Sequence, residues 1–98
     1  MKPVIVIAQT QAVPDHRDVV RQALLALVTP MRGEAGCLRY DLHQDREDPT
    51  RFFFHEVWEN DAALEKHLAS PHIQAYRQAV EGKVAHREIR RLSALEPS

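Results

Sequence analysis

GCLRYDLHQDREDPTRFFFHEVWE, residues 36–59, decides the fold, because it holds two runs with the period of a β-strand around a polar turn. In the first run Leu38, Tyr40 and Leu42 alternate with Cys37, Arg39, Asp41 and His43. DREDPT, with Pro49 near its end, reads as a hairpin loop. The second run puts Phe52, Phe54, Glu56 and Trp58 on one face and Phe53, His55 and Val57 on the other. Both faces carry large apolar groups, so both are expected to be covered.

Working outward, residues 4–12 are rich in β-branched side chains and read as a strand. From Asp15 a helical spacing takes over in Val20, Ala23, Leu24, Leu27 and Met31, with Asp15 as the expected N-cap and Pro30 and Gly33 as the stop. Downstream, Asn60 is a natural cap for a short helix to Ala69, and Ser70 followed by Pro71 starts another. In that helix Ile73, Tyr76 and Val80 share a face and Gly82 is the expected end; residues 84–95 close the chain as a strand. The order β-α-β-β-α-β, with the second helix split, predicts an α+β, ferredoxin-like fold built as one domain over residues 1–98. Helices cover only one face of such a sheet. The other would expose residues such as Phe53 and Val57, so a homodimer packed sheet against sheet is expected.

Composition excludes several classes of partner. With 13 basic and 14 acidic residues and a net charge of -1, neither nucleic acid nor an anionic membrane surface is indicated. The apolar run near the N-terminus, Val4 to Ala8, is too short for a signal sequence or a membrane span. One cysteine, Cys37, permits no intrachain disulfide and suits a reducing compartment, so a cytoplasmic location is expected.

Candidate chemistry centres on HLASPHIQAY, residues 67–76. His67 and His72 stand five apart, and on one helix that spacing would turn their side chains roughly 140° from each other. Ser70 and Pro71 also break the helix between them, so no metal site is expected. His72 falls in the first turn after the Ser70 cap, where the helix dipole favours neutral imidazole, a potential base. His67 lies beside the Leu64 and Leu68 stripe and borders the core; a plain hydrogen-bonded boundary histidine is the competing reading. Tyr76 follows His72 by four residues and could share its face. Glu56, between Phe54 and Trp58, should be partly desolvated, as a pocket acid or as the partner of Arg39, Arg87 or Arg91. No glycine-rich phosphate loop, dinucleotide fingerprint or nucleophile elbow is present.

EAGCLRYDLHQD (residues 34–45) and FFFHEVWENDAALEKHLASPHIQAY (residues 52–76) together resemble the antibiotic biosynthesis monooxygenase family, most of all its small quinol monooxygenase branch. The resemblance implies a dimeric α+β barrel with a pocket between sheet and helices in each subunit. It also implies oxidation of a quinol-like or other small aromatic substrate by molecular oxygen, with no cofactor. On this reading His67 or His72 is the base, Tyr76 its hydrogen-bonding partner, and Trp58, Phe54 and Glu56 line the substrate site. Trp58 matches a tryptophan of the polyketide-oxidising branch, whereas Phe54 and Leu64 replace that branch's polar or phenolic residues. Arg77 stands near the place of the iron-ligating histidine of the haem-degrading branch, which disfavours haem chemistry. Two alternatives remain open: an isomerase or processing enzyme for a small signalling molecule of the autoinducer-2 type, whose branch shares the serine/threonine-proline-histidine break, and a dimer that binds small ligands without converting them.

Overall fold

The computed structural model describes residues 2–97. Four strands and three α-helices follow the expected order: β1 (Val4–Ala12), α1 (Arg17–Arg32), β2 (Cys37–Gln44), β3 (Arg51–Trp58), α2 (Asp61–Leu68), α3 (Pro71–Ala79) and β4 (Val84–Leu92). The strands form one antiparallel sheet in the order β2-β3-β1-β4, the ferredoxin-like arrangement. No helix among the described residues is long and apolar enough to cross a membrane.

The helix caps of the split pair are those the sequence predicts. Asn60 accepts from the Ala63 backbone N–H at 2.9 Å and Ser70 Oγ from that of Ile73 at 3.3 Å, with Pro71 opening α3. Three local expectations are corrected. Asp15 does not cap α1: it lies in a 3₁₀ turn, Pro14–His16, and the α-helix begins only at Arg17. Pro30 does not end α1, which runs two residues further to Arg32 with Gly33 as cap. Gly82 does not end α3, which stops at Ala79; it serves instead in the turn before β4, with a φ of 75°.

Leu38 departs from its predicted face. The β2–β3 register runs from Cys37 opposite Trp58 to Arg39 opposite Val57, so an extra residue is accommodated between them. This bulge turns Leu38 outward, 59% exposed, while half-buried Cys37 and buried Tyr40 both pack toward the core. The alternation of β3 holds as read. Phe52, Phe54, Glu56 and Trp58 are all buried against the helices, opposite Thr10, Ala8, Val6 and Val4 of β1.

Gly36 sets the position of α2 over the end of β3. Its φ is 85°, and a Cβ there would lie 2.5 Å from the Ala63 Cβ, so only glycine lets the start of β2 approach α2 so closely. Its carbonyl accepts from the Glu59 N–H at 2.8 Å. That contact fixes the first turn of the helix that carries His67.

Candidate active site

Four elements bring polar groups to one place under the helices. Glu56 comes from the inward face of β3, His67 from the buried side of α2, Tyr76 from α3, and Tyr40 from β2. They border a cavity of about 60 Å³ between sheet and helices, several times the room one water needs. Leu24 and Leu27 of α1, Phe54 and Ile73 give it apolar walls, and Arg77 and Arg87 lie at its rim.

The deep end is a stacked and hydrogen-bonded cluster. Trp58 Nε1 donates to Glu56 Oε1 at 2.9 Å, and the same oxygen lies 3.7 Å from His67 Nε2. The His67 ring stacks on Trp58 at 4.4 Å between centroids and meets Tyr40 in a T-shaped arrangement at 5.5 Å. Burial pushes the Glu56 carboxyl up to about 7, an effect the Trp58 hydrogen bond only partly offsets. Burial also lowers His67 to about 4. At neutral pH the imidazole is therefore uncharged and the carboxyl is near its midpoint, so the 3.7 Å contact is not an ion pair in the resting site. Tyr40 is raised by burial and by the nearby Glu56, and stays a neutral phenol.

Two buried polar atoms here have no partner in the protein: His67 Nδ1 and Tyr76 Oη. Leaving a buried polar atom unpaired costs about 1–3 kcal/mol, and such atoms are rare in folded chains. Both belong to residues that line the cavity. The arrangement offers an occupant an unprotonated imidazole, a phenol and a carboxyl of raised pKa, within apolar walls.

Of the residues singled out in the sequence, His67, Tyr76, Glu56 and Phe54 meet at the cavity. Trp58 is fully buried but stands behind His67 rather than in the lining, where it orients Glu56 and supports the imidazole. His72 does not border this cavity. It is exposed and borders a separate surface groove with Glu34 and Lys66. Helix phase explains this: the buried face of α3 is set by Ile73, Tyr76 and Val80, and position 72 points roughly 70° away from its centre.

None of the arginines proposed as partners of Glu56 pairs with it. Arg39 lies 3.7 Å from Asp41, Arg91 is 2.8 Å from Glu65, and Arg87 sits over the Tyr76 ring at 6.0 Å. Sequence reasoning overlooked Tyr40, Leu24 and Leu27 as cavity lining. Their inward periodicity was visible, but it is the same signal that any core residue gives. Among the described residues no group of three or more histidine, cysteine or acidic side chains is placed to hold a metal ion.

A family model described as antibiotic biosynthesis monooxygenase matches residues 3–79. The Mycobacterium tuberculosis protein named "Putative monooxygenase Rv0793" is 40% identical over 78 residues, covering 80% of this chain and 76% of that protein. The Escherichia coli K12 protein named "Probable quinol monooxygenase YgiN" is 33% identical over 98 residues, covering 92% of this chain and 94% of its own. The crystal structure of PA3566 from Pseudomonas aeruginosa superposes with a TM-score of 0.94 at 41% identity, covering 98% of this chain and 97% of the other.

Proposed function

The chain belongs to the antibiotic biosynthesis monooxygenase family, and from that premise we propose that it oxidises an electron-rich quinol or phenol with molecular oxygen, without a cofactor. The observation that supports this reading most is the pair of unpartnered buried atoms, His67 Nδ1 and Tyr76 Oη, on residues that border one apolar cavity. A quinol hydroxyl is the complement of that pair. It donates to the imidazole and accepts from the phenol.

His67 is the base in this mechanism. Its depressed pKa keeps it neutral at physiological pH, and Nε2 near Glu56 leaves Nδ1 as the nitrogen without a partner. Taking the quinol proton creates an imidazolium 3.7 Å from Glu56, whose carboxylate form stabilises it, the role of the acid in a histidine–carboxylate pair. The quinolate is a far better one-electron reductant than the quinol, and apolar walls shield it and the reduced oxygen from water. The balance closes without an external reductant: quinol plus O₂ gives hydroxyquinone plus water. One oxygen atom enters the ring, and the quinol supplies all the electrons.

The functional unit we propose is a homodimer joined through the open face of the sheet. Leu92, Ile5 and Val57 form a row across three adjacent strands on the side away from the helices, and Phe53 lies on the same face. Leu92 is 44% exposed, and covering that face is what a second copy would do.

Oxygen uptake by the purified, metal-free protein with a panel of hydroquinones tests the activity. Uptake that drops on His67→Gln supports the reading, and none with any quinol removes it. Product formed under strict anaerobiosis would point instead to an isomerase.

A further inference from the structure

We infer that Arg77 and Arg87 form an anion-selecting rim, so that the preferred occupant is an aromatic ring bearing a carboxylate or sulfonate. This rests on the reading of the cavity as a site for a phenolic ring. Three observations carry it. First, both arginines border the cavity and also line the groove that adjoins it outside, together with His86 and one acidic residue, Glu81. They therefore stand between the apolar interior and solvent.

Second, neither has an acidic partner. Six other arginines are paired: Arg17 with Asp18, Arg32 and Arg39 with Asp41, Arg51 with Asp48, Arg90 with Glu88, Arg91 with Glu65. Arg21 of α1 and Arg46 of the β2–β3 loop are in no ion pair either, but neither borders the cavity. No ion pair among the described residues uses Arg77 or Arg87. The contrast along β4 is informative. Arg91, Ile89 and Arg87 share the helix-side face, opposite Val6, Ala8 and Thr10 of β1, yet Arg91 is neutralised from α2 while Arg87 is not.

Third, Arg87 is tied to the reacting end of the site. Its guanidinium carbon lies 6.0 Å from the centre of the Tyr76 ring, which carries the unpartnered hydroxyl. One substituted ring can therefore place its phenolic hydroxyl between Tyr76 and His67 and its acidic group against the guanidinium of Arg87, with Arg77 on the adjoining wall. A guanidinium suits a carboxylate or sulfonate because its planar fork can donate two parallel hydrogen bonds.

Anaerobic calorimetry with a matched set is the test: hydroquinone, 2,5-dihydroxybenzoate and 2,5-dihydroxybenzenesulfonate. Two exposed charge contacts together are worth about tenfold in affinity. The two acids should thus bind about tenfold more tightly than hydroquinone at low salt, with the ratio shrinking at high salt. Carboxylate and sulfonate are told apart by which of the two binds more tightly. Arg77→Gln and Arg87→Gln should each reduce the ratio, the double substitution should abolish it, and Arg87→Lys should retain part of it. Acids that bind no better than hydroquinone to the unaltered protein, or a preference that survives the double substitution, overturn the inference. Oxygen uptake with the same set separates the two readings. Preferred acids that are bound but never oxidised would sink the oxygenase and leave the rim standing; oxidised neutral quinols with no acid preference would do the reverse.

Discussion

Glu56 and His67 are buried side by side and shifted in opposite directions, and the pH dependence of stability should expose them one at a time. The folded protein holds Glu56 at about 7 against an ordinary 4.5, so it binds the Glu56 proton more tightly than the unfolded chain does. Stability from this group is complete below pH 4.5 and is lost as pH rises to 7. His67 is held at about 4 against 6.5, so its contribution is complete above pH 6.5 and is lost as pH falls to 4. At about 1.4 kcal/mol for each pH unit, either span is worth about 3 kcal/mol. Both side chains are no more than 5% exposed, so solvent screening takes little from this. Between pH 4.5 and 6.5 the two slopes oppose each other, and the pair gives the unaltered protein almost no net dependence. Glu56→Gln keeps an oxygen for the Trp58 N–H and removes one slope; relative to the unaltered protein its stability should climb by about 3 kcal/mol from pH 4.5 to 7. His67→Gln should show the mirror image, gaining about 3 kcal/mol relative to the unaltered protein as pH falls from 6.5 to 4. Urea unfolding at one fixed protein concentration, repeated across this range, gives the difference curves. A flat curve for Glu56→Gln would mean that the carboxyl titrates normally in the folded state, and the account of a desolvated acid–base pair would be wrong.

The remaining predictions concern activity and assembly. Tyr76→Phe removes a hydroxyl with no partner, so the protein should gain about 1 kcal/mol in urea unfolding while oxygen uptake falls about tenfold or more; lost stability with intact uptake would contradict this. His67→Gln should lower uptake by about a hundredfold, the range of a general base, whereas exposed His72→Gln should leave it within about twofold. If the two effects come out in the opposite order, His67 is not the base. Phe53→Asp places a charge on the open face of the sheet and should shift the sedimentation mass at micromolar concentration to that of a monomer. A dimer that survives it is joined through some other surface.

What was legible in the sequence is whatever depends on neighbours along the chain. The alternation of Phe52, Phe54, Glu56 and Trp58 is a local pattern, and so are the Asn60 cap and the Ser70–Pro71 restart; each appears in the structure where it was read. Leu38 was misplaced because the bulge beside it is a property of the β2–β3 pairing, not of either strand alone. Of the two readings of Glu56, it lines the cavity as a desolvated acid and makes none of the arginine pairings, for the same kind of reason. Arg87 and Arg91 lie on β4, which β1 separates from β3, and Arg39 stands opposite Val57 on the other face. The acid meets a histidine from α2 instead, and how α2 lies over β3 is set by the close approach of Gly36 to Ala63, a contact between residues 27 apart in the chain.

The candidate site was legible in a different way, as polar residues set within apolar stripes. Glu56 between Phe54 and Trp58, His67 beside Leu64 and Leu68, and Tyr76 in line with Ile73 and Val80 each break a hydrophobic pattern whose burial the rest of the stripe enforces. A core selected for stability alone has a simpler solution at all three positions, because an apolar side chain of similar size avoids the cost of an unpaired polar atom, about 1–3 kcal/mol. Trp58 and Glu56 satisfy each other, which accounts for their polarity without a ligand. His67 Nδ1 and Tyr76 Oη do not, and His67 cannot even be relieved by Glu56, since the imidazole is neutral and the contact is long. The unmet demand is thus confined to two atoms on two helices that meet over one cavity. An occupant with a hydroxyl that both donates and accepts is the chemistry that meets both demands at once.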